Sequence, residues 1–201
     1  MSSTVLYMSM SLDGFIAGPN ERPDNGLGDG GERLHQWILP DGAEDHLDAA
    51  VARLGDVNRQ IYDEFMSTGA VVAGRGTFEP AGGWGGDHHD GVPVYILSRH
   101  PAPAWAAEWP DVHYVSDLEV AVREAKQAAG DKDVLVHGAG ITQRALTAGL
   151  LDEVEIHLVP VLLGEGRPLF AHLGVEPREL ERTRVLEGEG GVTHLHYRVR
   201  R

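Results

Sequence analysis

The chain has 201 residues, 42% of them hydrophobic, which suits one domain with a single sizeable core. It has no cysteine, which excludes disulfides, thiolate metal sites and a cysteine nucleophile. Its net charge of −14 argues against general nucleic-acid or anionic-membrane binding, and makes any locally placed arginine notable as focused positive charge.

"TVLYMSMS" at 4–11 is the first strand expected, ending in the turn signal Asp13-Gly14 and the apolar "FIAG". Residues 18–33 are rich in Gly, Pro, Asn and Asp and form a loop, before the short apolar-aromatic segment "RLHQWIL", which has no clear type. Residues 44–67 carry a helical pattern that Gly55-Asp56 interrupts. "GAVVAGR", "VPVYILSR", "VHYV" and "DVLVHGAG" are strands, and "EVEIHLVPVLLG" is a long one. Ser116 with Glu119 makes a capping box for a helix running to about Ala129, with Gly130 as its stop. A second helix, "ITQRALTAG", follows Gly140. Residues 180–187 and 192–200 flank "GEGG" and form a terminal hairpin.

Continuous apolar strands alternating with helices predict an α/β protein: three layers, a mostly parallel central sheet with helices on both faces, and an antiparallel C-terminal hairpin. No second domain or internal repeat is visible, so residues 1–201 are taken as one domain. No stretch of about 18 apolar residues and no basic-then-apolar leader is present, which sets the expectation of a cytoplasmic protein.

Three of these strands end in similar chemistry. One runs into Gly74-Arg75-Gly76-Thr77, one into Ser98-Arg99, and one into Gly138-Ala139-Gly140. In a parallel sheet all such ends lie on one edge, where open α/β sheets bind ligands. Glycines let backbone approach phosphate, helix N-termini donate N–H groups to it, and Arg75 and Arg99 can grip a phosphate monoester in a fork. Each piece alone is turn chemistry. Together they suit one dinucleotide laid across three strand ends.

"DHHD" at 87–90 sits in a glycine-rich loop, and adjacent histidines seldom aim at one ion. His194 and His196 share one face of a strand, but no third ligand is in view, so no metal is expected. There is no Gly-x-Ser-x-Gly elbow, which dismisses a serine hydrolase.

The segments "MSLDGFIAGPN", "VVAGRGTFE", "VYILSR", "VLVHGAGITQRAL" and "LLDEVEIHLVPVLLGEGRPLF" resemble, in order, the dihydrofolate reductase-like superfamily. The resemblance is closest to the reductase domain of the riboflavin-biosynthesis deaminase-reductase and its stand-alone relatives. It implies a dihydrofolate reductase-like fold and an NADPH-dependent reductase of a small heterocyclic or carbonyl-type substrate, similar to the 5-amino-6-(5-phosphoribosylamino)uracil reductases, and a homodimer. By position it implies Ser9, Ser11, Ile16 and Ala17 near the nicotinamide. Gly74, Arg75, Gly76 and Thr77 fall at the phosphates, Ser98 and Arg99 at the 2′-phosphate, and Gly138, Ala139, Gly140 and Ile141 over the pyrophosphate.

Folate reductases place a carboxylate on the helix before the Gly-Arg strand. The matching position here is Asn58, so folate reduction is not expected. The zinc deaminase half of the riboflavin enzyme has no counterpart, as that site needs cysteines. Catalytic candidates are Asn58, Asp63 and Gln143, with Asp56 nearby; substrate candidates are Asp13, His35, Trp37 and Tyr62. A flavin-using relative and a nucleotide-binding sensor without turnover stand as alternatives.

Overall fold

The apolar runs become the parallel centre of one sheet. A computed structural model describes residues 2–22, 24–39 and 47–200. Its strands and helices in chain order are β1 (Thr4–Ser11), β2 (Phe15–Ala17), α1 (Leu47–Val51), α2 (Asp56–Met66), β3 (Ala70–Gly74), α3 (Arg75–Phe78), β4 (Val94–Leu97) and β5 (Val112–Val115). There follow α4 (Leu118–Ala129), β6 (Val134–His137), α5 (Ala139–Thr147), β7 (Glu153–Val159), β8 (Arg167–Pro168), β9 (Leu180–Glu187) and β10 (Thr193–Val199).

The eight-stranded sheet has the order β5-β4-β3-β6-β1-β7-β10-β9. Neighbours from β5 to β7 pair in parallel, and β10 and β9 close that side in antiparallel. This is the expected three-layer architecture. Strand side chains alternate between faces. Leu6, Val72, Val136 and Ile156 turn toward α4 and α5 into an aliphatic core. Val71, Ala73 and Leu135 turn the other way, toward Phe78 and the α2 side, where Phe65 packs against them.

Four details differ from the sequence reading or refine it. The cap of α4 is Asp117, not Ser116: its carboxylate accepts from Val120 N at 2.9 Å, and the helix begins at Leu118. With the cap one residue later, the free amide it meets is that of Val120, the third helical residue, so the Ser116 hydroxyl is not needed. Strand β7 stops at Val159, because Pro160 has no N–H and Val161 N turns back to Val159 O. "RLHQWIL" forms a 3-10 turn over Gly31–His35 rather than a strand or α-helix. The helical stretch splits at Gly55 into α1 and α2, as its glycine suggested, while its first residues lie outside those described. Among the described residues, no helix is long and apolar enough to cross a membrane.

Candidate functional site

Parallel pairing places the C-terminal ends of β1, β3, β4, β6 and β7 along one edge. Gly74 lies level with Leu97, and Ala73 with His137, so the β3, β4 and β6 ends are neighbours. Strand β3 runs directly into α3 and β6 into α5. These two ends touch: Gly138 has φ +102°, and a Cβ there would collide with the Thr77 hydroxyl. Only glycine takes both that backbone and that contact. Thr77 therefore packs against Gly138 and does not cap α3, whose cap position is Gly74.

The other glycines of this edge behave differently. A Cβ at Gly74 or Gly140 meets nothing within 4 Å, and one at Gly76 comes only to 3.4 Å from Arg167 Nη1. The surface over these glycines is open backbone. Arg75 is 44% exposed and lies 3.8 Å from Glu79. Arg99 is exposed and pairs with none of the described residues. Ser98 Oγ donates to His100 O and accepts from His100 N, so it closes its own turn. Arg167 is an addition to the sequence list; it follows β7 by eight residues and is held to this edge by Glu21 at 2.6 Å.

On β1, Ser11 Oγ donates to Asp13 and accepts from Phe15 N at 2.9 Å. Asp13 also accepts from Leu163 N and Gly164 N, pinning the loop after β7 to the end of β1. The Ser11 hydroxyl, then those amides, holds the Asp13 carboxyl below its usual range. Asp13 is thus a turn clamp. Ile16 and Ala17 are buried in β2, which pairs with β8. Ala139 and Ile141 are buried in the first turn of α5. Gln143 Nε2 donates to Leu169 O at 2.9 Å and ties α5 to the segment after β8.

The α2 side of the sheet holds a second group of candidates. Trp37 donates its indole N–H to Ser9 Oγ at 2.9 Å and packs on the rings of His157 and His194, at 4.8 and 5.0 Å. Asn58 is buried, and its amide is taken up by the protein. Its Nδ2 donates to Trp37 O and Glu189 O, both at 3.2 Å, and its Oδ1 faces His194 Nε2 at 3.1 Å. It locks Trp37, α2 and the β9–β10 turn together. The other nitrogen of His194, Nδ1, lies 3.0 Å from His157 Nδ1.

Those contacts set the tautomers. Both Asn58 N–H bonds go to carbonyls, so its Oδ1 accepts and His194 carries its proton on Nε2. His194 Nδ1 is then a lone pair, and His157 donates from Nδ1. Burial keeps both rings neutral: His157 is held well below its ordinary value, and His194 is pushed down to about 4. Nearby, burial and the neighbouring His137 push His88 to about 2, while burial and His35 push His137 to about 4. Among its described neighbours, His35 Nδ1 is buried without a hydrogen-bond partner. Glu155 is the reverse case: burial raises its carboxyl to about 7, against the pull of Arg184.

The structure brings Ser9, Trp37 and Asn58 together beside His157 and His194. It does not bring Asp63 there. Asp63 is exposed, pairs with Arg59 at 3.0 Å, and lines a 540 Å³ surface depression with Asp56 on the outer side of α2. Tyr62 is half-buried on α2. Sequence reasoning missed His137, His157, Glu155 and Arg184. For Glu155 and His157 the signal available was polar residues at every second position of "EVEIH", on a strand otherwise apolar.

A sequence model of the RibD C-terminal domain matches residues 3–193. The uncharacterized protein YwjB of Bacillus subtilis (strain 168) is 25% identical over 96% of both chains. Among solved structures, a putative riboflavin biosynthesis protein from Shewanella sp. PV-4 shares the fold with a TM-score of 0.69 and 22% identity, covering 99% of both chains. Acinetobacter baumannii RibD superimposes with a TM-score of 0.63 and 18% identity over all of this chain and 59% of its own. A pyrimidine reductase-like protein from Corynebacterium diphtheriae gives 0.60 and 13%, over all of this chain and 92% of its own. At these identities the likenesses carry the fold. The match along nearly the whole sequence carries the family: this chain belongs to the RibD C-terminal domain family.

Proposed function

We propose that the chain is an NADPH-dependent reductase of a small heterocyclic or carbonyl-type substrate. The supporting observation is the contact of two glycine-flanked strand ends, Thr77 against Gly138, with open backbone at Gly74 and Gly140 on either side. NADPH fits that edge. Gly74, Gly76 and Gly140 admit close approach, and the first turn of α5 offers free N–H groups to a pyrophosphate. Arg75 and Arg99 supply positive charge in a chain of net charge −14, while Arg167 beside Gly76 is paired with Glu21. NADPH supplies the hydride. The protein binds and orients it, with Ser9, Ser11, Ile16 and Ala17 forming the β1–β2 wall and Trp37 shielding the α2 side.

The heterocyclic substrate class draws on the relatives, one of which is called pyrimidine reductase-like. Asn58 in place of a carboxylate supports a second reading, a nucleotide-binding sensor without turnover, because its amide is wholly engaged and offers no proton. We further propose a cytoplasmic homodimer; sedimentation at the mass of one chain would count against the dimer.

Titration with NADPH and NADH tests the cofactor. Arg99→Ala and Arg75→Ala are expected to weaken NADPH roughly tenfold or more, the worth of one charge-assisted hydrogen bond, and to weaken it more than NADH. Equal losses for both cofactors would sink the assignment. Tight NADPH binding with no oxidation against a panel of heterocycles would favour the sensor. A yellow, flavin-loaded protein would favour the flavin relative.

A further inference from the structure

Three metal-type donors meet beneath α2. Glu155 and His157 stand two residues apart on one face of β7, and His194 lies opposite His157 across the antiparallel β7–β10 pair. One ligand atom from each lies within 4.8 Å of the other two. All three residues are buried, at 1%, 4% and 0% exposure. From these positions we infer that Glu155, His157 and His194 form a site for a divalent transition-metal ion of the zinc class, held by two imidazole nitrogens and one carboxylate oxygen.

The first support is an orphaned oxygen. Glu155 Oε1 is buried with no hydrogen-bond partner, while Oε2 is 3.4 Å from Arg184 Nη2. An unpaired carboxyl oxygen in the interior is costly, and a cation that binds there and releases any proton the carboxyl carries offsets it. The Arg184 charge does not bar that cation. Glu64 already neutralises it through a two-bond fork at 2.7 and 2.6 Å.

The second support is the outer shell. Metal-bound histidines donate their remote N–H to a carbonyl or carboxylate, which fixes the ligating nitrogen. Asn58 Oδ1 does this for His194, leaving Nδ1 as a lone pair aimed at His157. Without metal, the His157 Nδ1 proton fills the gap between the two nitrogens. On binding, that proton moves to Nε2 and the ion takes its place. Two nitrogens on tetrahedral zinc stand about 3.3 Å apart. The observed 3.0 Å therefore opens by only a few tenths of an ångström.

Two imidazoles disfavour calcium and magnesium, which prefer oxygen, and the chain has no thiolate for a softer ion. Three protein donors leave one tetrahedral position for water. A 230 Å³ cavity lined by Tyr7, Glu153, Arg184 and His196 lies next to the site, since Arg184 and His196 also flank Glu155. The site stands independently of the reductase reading.

The test uses the whole chain, stripped with a chelator and checked for native circular dichroism. Calorimetric titration with Zn²⁺ is expected to show one ion per chain at micromolar affinity or tighter. Co²⁺ should give the visible bands of tetrahedral nitrogen-oxygen coordination. Glu155→Gln, His157→Gln and His194→Gln should each weaken Zn²⁺ at least tenfold, and surface His100→Gln should leave it unchanged. Zn²⁺ should raise the melting temperature of the wild type and not that of the three variants. If a histidine variant does not fold, the near-isosteric Glu155→Gln and the wild-type Co²⁺ spectrum decide. Absence of saturable Zn²⁺ and Co²⁺ binding to folded wild type would overturn the site. So would binding that Glu155→Gln leaves untouched.

Discussion

The two faces of the sheet are built on opposite principles. The face under α4 and α5 is aliphatic: Leu6, Val72, Val136, Val154 and Ile156 pack against Ala121, Ala125, Ile141 and Ala145. The face under α2 carries Tyr7, Ser9, Glu155, His157 and His194 on the corresponding strands. The first gains stability from removing apolar surface from water, with no dependence on pH. The second spends stability to keep histidines neutral and a carboxyl protonated out of water. A sheet with one such face holds its shape through the other. The polar interior lies toward the end of the sheet where the glycine-flanked strand ends converge.

The sharpest break in this comparison is acid. His88, His137, His157 and His194 all sit below their ordinary value, chiefly through burial. Once unfolded, each takes a proton below about pH 6.5. The unfolded state thus binds more protons, and stability falls as pH drops from about 6.5 toward 4. Each such proton contributes about 1.4 kcal/mol per pH unit. Glu155 opposes one of them: its carboxyl, raised to about 7, stays protonated in the fold and ionises on unfolding, so it favours the fold as pH falls through this window. His35, His89 and His196 are lowered by burial as well, so seven histidines against one carboxyl leave a net loss. Urea midpoints at pH 7 and pH 5 measure it, and a flat profile would contradict a neutral histidine interior.

Next in size is the aliphatic face. Leu6 is wholly buried, so Leu6→Ala should cost about 3 kcal/mol from lost burial and the cavity left behind. The loss should be equal at pH 7 and pH 5, shifting the stability curve without changing its slope. A loss that grew at pH 5 would mean that the two faces are coupled.

Asn58→Asp should cost less, about 1–3 kcal/mol, because Trp37 O and Glu189 O lose their donor and face a carboxylate. The same charge beside His194 should lift its titration above about 4, readable by NMR of the imidazole. If His194 does not move, Asn58 does not set its proton.

Much of this was legible in the sequence, and the reason for the rest is geometric. The continuous apolar runs named the strands, and the glycines that follow β3 and β6 marked the edge they share. Counting back from Gly74 found Asn58 on α2. It did not find its role, because the partners are Trp37, Glu189 and His194, far away in the chain. Periodicity tells which residues share a face of one strand. It does not tell which residue of the next strand lies opposite. "HLH" therefore looked like two ligands lacking a third, whereas His194 pairs across to His157 and His196 turns to Glu153 at 2.9 Å. Arg167 was hidden for the same reason, its place beside Gly76 being set by β8 pairing with β2.

The smallest effect on the fold separates shape from binding. A Cβ at Gly140 meets nothing, and the residue lies in the first turn of α5. Gly140→Ala should therefore leave stability unchanged or raise it by up to about 0.5 kcal/mol, since alanine loses less backbone freedom in a helix. The methyl would occupy the open backbone proposed for the pyrophosphate, so NADPH affinity should fall by roughly tenfold. Gly138→Ala should instead damage the fold, through its positive φ and the Thr77 contact. Comparing the two by melting and by NADPH titration distinguishes a glycine kept for packing from one kept for a ligand. If Gly140→Ala binds NADPH as tightly as wild type, the cofactor does not cross the first turn of α5.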